Sequence, residues 1–160
     1  QALSILGPMG KSIQEEIQQR NWHNDQQVAV INILYTYHWL KGRISEALAP
    51  YKITMQQYNV LRILRGAHPE GLAIGVIRER LLDKTSDVSR LVDRLVKLGF
   101  VERKGSKEDR RVTHIFLTLR GLELLGQIRS VDKFTKDELP KRLTNEEAQL
   151  LSALLDKVRT

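Results

Sequence analysis

The chain of 160 residues contains no cysteine. This absence excludes disulfide bonds, thiolate metal sites, cysteine nucleophiles and thiol-based redox sensing. Long apolar runs are also missing: none approaches the ~18 residues of a membrane span, and the stretch from Ala2 to Leu6 is too short for a signal sequence. We therefore expect a cytoplasmic protein without a membrane segment.

Residue patterns typical of metal sites and of catalysis are equally scarce. None of the four histidines has a ligand-type partner four positions away, so we expect no metal and no other cofactor. The histidines are His23, His38, His68 and His114. Ser130 and Lys133 fit the short S-x-x-K pattern, but its companion motifs are missing. We predict that the chain is not an enzyme.

The segment Gly10-Lys11-Ser12 is similar to the end of a phosphate-binding P-loop. In the full motif, G-x-x-x-x-G-K-[ST], the first glycine would fall on Ile5, and no alternating strands and helices follow. A P-loop nucleotide-binding protein is therefore a remote alternative. Because the chain starts at Gln1 and carries an internal Met9, we expect residues 1–8 to be a non-native remnant or a flexible tail.

Basic residues are in excess. The chain holds 26 Lys and Arg against 19 Asp and Glu, which gives a formal net charge of +7 and a pI near 9.8. Eleven of the basic residues and seven of the acidic ones lie between Arg78 and Arg111. Such a balance favours nucleic acid or an acidic surface as the partner.

The segment from Ser86 to Leu98 has the apolar spacing of a helix. Apolar residues recur at offsets of three, four and seven, which predicts one buried stripe. They are Val88, Leu91, Val92 and Leu95. The opposite face carries Ser86, Ser89, Arg90, Arg94 and Lys97, and Asp87 and Asp93 balance part of its charge. Gly99 then favours the left-handed conformation that ends helices.

Two segments with β-strand composition follow this helix. Phe100–Lys104 and Val112–Leu117 are rich in Val, Phe, Ile and Thr, which predicts a two-stranded hairpin. The long charged loop between them should project into solvent; it reads Lys104-Gly105-Ser106-Lys107-Glu108-Asp109-Arg110-Arg111. A projecting basic loop is suited to phosphate contact, or to an Arg in a narrow minor groove.

Helical segments also precede the helix with the Ser/Arg face. Helices are predicted at 25–48, 55–66 and 75–82, with a short strand at 72–74. Pro50 bounds the first helix, and Thr54 with Gln57 forms a capping box that opens the second. This order predicts a helix-turn-helix followed by a wing, in a mainly α (α+β) fold.

Two further helices are predicted after the hairpin. One runs from Thr118 to roughly Leu139, where Pro140 interrupts it, and the capping box of Thr144 and Glu147 opens the other. Their apolar surface exceeds what a winged domain needs, which predicts a dimer interface built from both chain ends. The alternative is that these helices pack on their own winged domain.

The predicted organisation has four parts. Residues 1–24 form a tail and the start of the first helix, 25–49 and 122–160 are dimerisation helices, and 50–121 form the winged helix-turn-helix domain.

The hairpin also carries a specific motif. The pattern D-x-R-x-x-x-x-x-L-T is formed by Asp109, Arg111, Leu117 and Thr118, and Gly121 follows it. Before it stands the run Ser89-Arg90-Leu91-Val92-Asp93-Arg94-Leu95. On these residues the chain resembles the MarR family of bacterial transcriptional regulators over about residues 25 to 159. The resemblance implies a homodimeric winged helix-turn-helix.

The resemblance also implies roles for individual residues. In the family, the arginine that matches Arg111 enters the minor groove, and the aspartate that matches Asp109 pairs with it and sets its direction. Arg110 would contact phosphate, with Lys104 and Lys107 on the same wing. The second helix of the helix-turn-helix, predicted from Ser86, starts in the major groove in the family. This placement brings six side chains to the DNA: Lys84, Thr85, Ser86, Ser89, Arg90 and Arg94.

Arg90 is the candidate for reading guanine, because a guanidinium can donate two hydrogen bonds to O6 and N7. Alternatively, Arg90 and Arg94 bond phosphates or carboxylates of the protein. Many family members carry a proline at the start of the reading helix. This chain has Asp83-Lys84-Thr85-Ser86 there, so Asp83 or Thr85 is predicted as the N-cap.

Members of the family often bind small aromatic or lipophilic anions and then release DNA. Tyr35 and Trp39 are one helical turn apart, and Tyr58 can approach from the next helix, which makes these three residues the candidate lining of a ligand pocket. The alternative is that they belong to the core or to the dimer interface.

The sequence thus predicts a sequence-specific, ligand-responsive regulator that binds a pseudo-palindromic operator in double-stranded DNA as a homodimer, most simply as a repressor. An alternative is a winged helix that contacts another protein. That alternative predicts a neutral or acidic face on the second helix of the helix-turn-helix and a short wing. In this chain that helix face is basic and the wing is long.

Overall fold

The computed structural model describes residues 10–105 and 113–160. Within these ranges the chain is mainly helical and holds one three-stranded antiparallel sheet, which confirms the predicted fold class. The helices are α1 (Ile13–Glu16), α2 (Asp25–Leu48), α3 (Met55–Ala67), α4 (Ile74–Arg80), α5 (Val88–Lys97), α6 (Leu119–Gln127), α7 (Arg129–Lys133) and α8 (Asn145–Val158). The strands are β1 (Leu72–Ala73), β2 (Val101–Gly105) and β3 (Thr113–Leu117).

The chain divides into two compact units, Gln1–Arg43 and Ile44–Thr160. In the first unit, the sequence analysis did not predict the short helix α1. Ser12 caps it: the Ser12 hydroxyl accepts the N–H of Glu15 at 3.3 Å, and the Glu15 carboxylate accepts the N–H of Ser12 at 2.7 Å. This reciprocal pair is a capping box, so the spacing S-x-x-E was the signal for this helix.

Helix α2 has the predicted bounds and begins after Asn24, whose Oδ1 accepts the N–H of Gln27 at 2.8 Å. Its portion in the first unit leaves several large apolar side chains exposed: Val30, Leu34, Tyr35, Tyr37 and Trp39. Apolar side chains that recur on the surface of one helix are typical of an interaction surface. In the described part of the chain, no helix is long and apolar enough to pass through a bilayer.

The second unit is built around α3. The predicted capping box is present: Thr54 Oγ1 accepts the N–H of Gln57 at 3.2 Å, and Gln57 Oε1 accepts the N–H of Thr54 at 2.8 Å. Most of the apolar stripe of α3 is buried in one core with side chains of α4, α5 and β3. The fully buried members of this core include Val60, Leu61, Leu64, Ile77, Val92, Leu95 and Ile115. Burial of this stripe fixes α4 and α5 against α3, as a helix-turn-helix requires.

The sheet has the strand order β1-β3-β2. Leu72 of β1 pairs with Ile115, and the β2–β3 ladder runs from Val101 opposite Leu117 to Gly105 opposite Thr113. The two strands of the predicted hairpin are therefore confirmed. The segment that joins them, residues 106–112, lies outside the described residues.

Hydrogen bonds join the turn after α5 to the start of α6. Gly99 has φ of +75°, the left-handed conformation predicted for it. The hydroxyl of Thr118 donates to the Gly99 carbonyl at 2.8 Å and accepts the N–H of Gly121 at 3.1 Å, and the Thr118 N–H donates to the Phe100 carbonyl at 3.1 Å. One N-cap residue therefore holds α6 against the turn that leads into the wing.

The prediction of one helix from Thr118 to about Leu139 is wrong, because the chain leaves helical geometry at Ile128, where ψ is 75°. Ile128 is almost fully buried in the core. The carbonyl of Gln127, whose partner in a continuous helix would be a later N–H, accepts the hydroxyl of Tyr51 at 2.9 Å. Helix α7, a π-helical turn at Phe134–Glu138 and a 3-10 turn at Leu139–Lys141 follow.

Helix α8 begins at its predicted capping box, in which Thr144 Oγ1 accepts the N–H of Glu147 at 3.2 Å. None of its side chains is buried. Its apolar residues stand largely in solvent: Leu150, Leu151, Leu154 and Val158. This exposure disfavours the alternative in which α8 packs on its own winged domain. The dimerisation role of the terminal helices stays a prediction.

Candidate nucleic-acid interface

Helix α5 separates an apolar side from a polar side, as its spacing predicted. Val88, Val92 and Leu95 are buried in the core. Ser89, Arg90, Arg94 and Lys97 are exposed, and Ser86 just before the helix is half-buried. The buried stripe fixes the rotation of α5 about its axis, so that the predicted contact residues point to solvent.

The prediction that Asp83 or Thr85 caps this helix is wrong. Asp87 is the N-cap, and its Oδ1 accepts the N–H of Arg90 at 3.1 Å. A carboxylate at this position also interacts favourably with the positive end of the helix dipole. The helix consequently begins at Val88, two residues later than predicted, and Thr85 and Ser86 belong to the loop before it.

Asp83 instead organises that loop. Its Oδ1 accepts the N–H of Thr85 at 3.0 Å and the Thr85 hydroxyl at 2.7 Å, and its Oδ2 accepts the Ser86 hydroxyl at 2.9 Å. The hydrogen bonds from the side chains of Thr85 and Ser86, with that from the Thr85 backbone, lower the pKa of Asp83 to about 2. Asp83 therefore remains ionised at neutral pH and holds both hydroxyls in place.

Two more contacts anchor the same loop. The amide side chain of Asn59, on α3, accepts the N–H of Leu82 at 3.0 Å. The ammonium group of Lys84 donates to the backbone carbonyl of Glu79, near the end of α4. Lys84, a predicted DNA contact, is therefore turned back toward its own chain. Sequence reasoning missed Asn59, because a partner 23 residues away leaves no local pattern.

The base of the wing carries the next predicted contact. Lys104 on β2 is exposed, and its Nζ lies 2.6 Å from Glu102 Oε1 and 5.4 Å from the centre of the Phe116 ring. Glu102 and Lys104 are two positions apart and therefore share one face of β2, and Phe116 lies opposite Glu102 on β3. The other predicted wing residues lie outside the described residues: Lys107, Asp109, Arg110 and Arg111.

An ion pair joins the wing to the reading helix. Arg103 Nη2 on β2 lies 2.8 Å from Asp93 Oδ1 on α5. Sequence reasoning noted Asp93 only as a charge that balances the helix face, and it did not single out Arg103. Strand alternation was the available signal, because Arg103 shares a face with the buried Val101 and so lies on the side of the sheet that packs on the helices.

The three residues of the predicted ligand pocket fall in different units. Tyr35 and Trp39 are partly exposed on α2 in the first unit, and the Tyr35 hydroxyl donates to Glu16 at 3.2 Å. Tyr58 is buried in the core of the second unit. Its hydroxyl accepts a hydrogen bond from Arg62 at 3.0 Å, and Arg62 also pairs with Asp132 on α7 at 2.9 Å. The pocket stays a prediction.

The first unit contains a polar groove that none of the predicted pocket residues lines. It is lined by Ser12, Gln14, Glu15, Gln18 and Arg20. Across residues 10–105 and 113–160, no group of three or more His, Cys, Asp or Glu side chains is placed to hold a metal ion.

Comparison with known proteins supplies the family. The model of the MarR family matches residues 51–112, from the turn before α3 into the wing. The chain is 30% identical over 119 residues to the HTH-type transcriptional regulator PrsX of Escherichia coli, which covers 74% of this chain and 72% of that protein. It is 33% identical over 116 residues to the multiple antibiotic resistance protein MarR of Escherichia coli, with coverages of 72% and 79%.

A solved structure agrees with these relatives. The crystal structure of a mutant MarR from Escherichia coli complexed with operator DNA superimposes with a TM-score of 0.72 at 28% identity, over 87% of this chain and 99% of that chain. The winged arrangement of α3, α4, α5 and the β2–β3 hairpin is thus shared with a protein of known fold. The chain belongs to the MarR family of transcriptional regulators.

Proposed function

We propose that this chain binds a pseudo-palindromic operator in double-stranded DNA as a homodimer and represses transcription until a ligand releases it. The observation that carries the proposal is the solvent-facing side of α5, where Ser89, Arg90 and Arg94 stand over a buried apolar stripe. A helix of this kind, held by α3 and α4 and followed by a hairpin whose sequence is basic, is suited to contact a major groove and the neighbouring minor groove. The chain's net charge supports the same partner.

The contacts divide into two kinds. Arg90 lies at the third position of α5, early enough to reach base edges, where its guanidinium can pair with guanine. The hydroxyl groups of Thr85 and Ser86 both donate their hydrogen to the Asp83 carboxylate. Their oxygens can therefore only accept hydrogen bonds, so they suit the amino groups of adenine or cytosine and do not suit phosphate. Arg111, aimed by Asp109, would occupy the minor groove.

Two binding heads require a dimer. Helix α8 exposes an apolar row, and the part of α2 in the first unit exposes another. A second copy of the chain that covers such rows would supply the second reading helix, and successive major grooves require the two helices to lie about 34 Å apart, one turn of the DNA. The terminal helices 25–49 and 122–160 would then form the dimer interface.

The remaining parts of the proposal rest on the family. A small aromatic or lipophilic effector would bind the protein and favour a dimer whose reading helices no longer fit the operator. Tyr35 and Trp39 on α2 and Tyr58 on α3 are the candidates for its contacts. The chain carries out no catalysis in this scheme. It works in the cytoplasm, where bacterial operators lie.

A footprint on the DNA that flanks the gene tests the proposal and supplies the operator. Fluorescence anisotropy then measures the affinity for that operator and for random duplex between low and moderate salt, because contact with phosphates makes affinity fall steeply with salt. Absence of binding even at low salt would exclude the proposed function and leave protein contact as the role of the wing.

Arg90→Ala tests base reading by α5. We expect it to lose about 1 to 3 kcal/mol of discrimination at one base pair. Arg20→Ala, which removes the same charge from an exposed position outside the winged domain and the proposed dimerisation helices, is the matched control and should change affinity little. Equal losses on operator and on random DNA for Arg90→Ala would assign Arg90 to phosphate contact instead.

A further inference from the structure

Asp93 occupies an unexpected place for a carboxylate. It lies three residues after Arg90 and four before Lys97, so these three side chains share the exposed face of α5. About half of the Asp93 side chain is exposed, at 51%. If this face approaches DNA, an unpaired carboxylate here would be repelled by the phosphates and would weaken the interface.

Arg103 is directed to this carboxylate by the geometry of the wing. Side chains alternate along β2, and Arg103 follows the buried Val101 on the face that packs on α5. Its guanidinium reaches Asp93 at 2.8 Å. Lys104 points to the other face of the strand, where it pairs with Glu102. The two adjacent cations of β2 thus neutralise two different carboxylates, one on the helix and one on the strand.

The contribution of this pair to folding should be minor. Both side chains are substantially exposed, at 39% and 51%, and ion pairs in such positions add little to stability because water and salt screen them. The core residues Leu95 and Val101 already hold α5 and β2 together. A role in DNA binding accounts better for the placement of the pair, because it joins the two elements that would contact the DNA.

We infer that Asp93 and Arg103 form a charge-neutralising pair for DNA binding: Arg103, on the wing strand, neutralises the carboxylate on the reading helix. The inference rests on the proposed function. Neither residue needs to touch DNA. The pair acts through the charge of α5: while Arg103 is paired with it, the carboxylate does not repel the phosphates.

A double-mutant cycle on the operator tests this role. The variants are Asp93→Asn, Arg103→Gln and the double variant, and dissociation constants are measured by anisotropy at one salt concentration. We expect Arg103→Gln to weaken binding roughly fivefold to tenfold, and the double variant to recover to within about threefold of the unmodified protein, since removal of the carboxylate removes the repulsion. Asp93→Asn alone should change affinity by about twofold or less.

The control cycle pairs Asp93→Asn with Arg20→Gln, which removes an equal charge from an exposed position outside both the winged domain and the proposed dimerisation helices. In this cycle each substitution should change the dissociation constant by the same factor whether or not the other is present. Thermal unfolding of every variant separates a folding role from a binding role: the melting temperatures should stay within about 2 °C, whereas the affinities should not. Hydroxyl-radical footprinting should show weaker wing protection for Arg103→Gln only.

Each alternative gives a distinct result. If Arg103→Gln weakens binding by the same factor in the unmodified protein and in the Asp93→Asn variant, Arg103 contacts phosphate itself and the inference is overturned. If Asp93→Asn weakens binding as strongly as Arg103→Gln, the carboxylate is itself required for binding, and this result also overturns the inference that Arg103 serves to neutralise it. If the unmodified protein binds no operator, the proposed function fails first, and this result is separate from either outcome of the cycle.

Discussion

Replacing Gly121 by alanine should destabilise the protein, although alanine is the better helix former. A Cβ at this position would lie 2.3 Å from the carbonyl oxygen of Phe100 and 2.8 Å from Cδ1 of Leu117. Real Cβ atoms essentially never come closer than 3.0 Å to a neighbour, so the backbone of α6 would have to move away from the turn before β2. That movement would stretch the hydrogen bonds that Thr118 makes to Gly99 and Gly121.

The size of the effect follows from opposing contributions. Helix propensity favours alanine over glycine by about 1 kcal/mol. Overpacking against a backbone atom costs about 1 to 3 kcal/mol or more, and a weakened cap costs roughly 1 to 2 kcal/mol. We therefore expect Gly121→Ala to lower the free energy of unfolding by about 1 to 4 kcal/mol, which for a chain of this length lowers the melting temperature by roughly 2 to 16 °C.

Gly126→Ala is the matched control, because Gly126 lies in the same helix and a Cβ there meets no atom within 4 Å. This variant should be unchanged or more stable by up to about 1 kcal/mol. Urea unfolding followed by far-UV circular dichroism measures both variants at one protomer concentration, since the stability of a dimer depends on concentration. If the two alanine variants were equally stable, the close approach of α6 to Phe100 would not exist in solution.

Two further predictions concern the loop before α5 and the terminal helices. Because the pKa of Asp83 is lowered from 3.8 to about 2, its stabilising hydrogen bonds persist at neutral pH and are lost as the pH falls through about 2. The amide resonance of Thr85 should therefore shift with that midpoint in the unmodified chain and not in Asp83→Asn, and a midpoint near 4 would contradict the hydrogen bonds. Leu154→Glu, at a side chain 52% exposed on α8, should give a monomer in sedimentation velocity, while Ser152→Glu on the same helix should not. A Leu154→Glu dimer would remove α8 from the interface.

Local signals in the sequence predicted most of the fold. Capping boxes at Thr54 and Thr144 located the starts of two helices, since the hydrogen bonds involve residues only three positions apart. The periodicity of α5 located its buried side, and Gly99 located its end. These features depend on neighbours in the sequence, and the structure confirms each of them.

Features that depend on distant partners were missed. The long helix predicted after Thr118 ends early because Tyr51, 76 residues away from Gln127, takes up the carbonyl that would continue it. The cap of α5 was assigned to Asp83 or Thr85, although Asp87 lies at the position that the packing of Val88 selects. Propensity allowed all three residues as caps, and tertiary packing decided between them.

The same limitation affects the candidate interface, where counting charges overstates the number of cations ready for DNA. Within the described residues, Lys84 donates to the Glu79 carbonyl, Lys104 pairs with Glu102, and Arg103 pairs with Asp93. Each phosphate that a protein neutralises adds about 0.9 to the slope of log affinity against log salt. If these three cations keep their partners on DNA, the slope per protomer will be smaller than the basic count between Arg78 and Arg111 suggests. Affinity must then depend mainly on the other basic residues, among them the exposed cations of α5 and the arginines of the wing sequence.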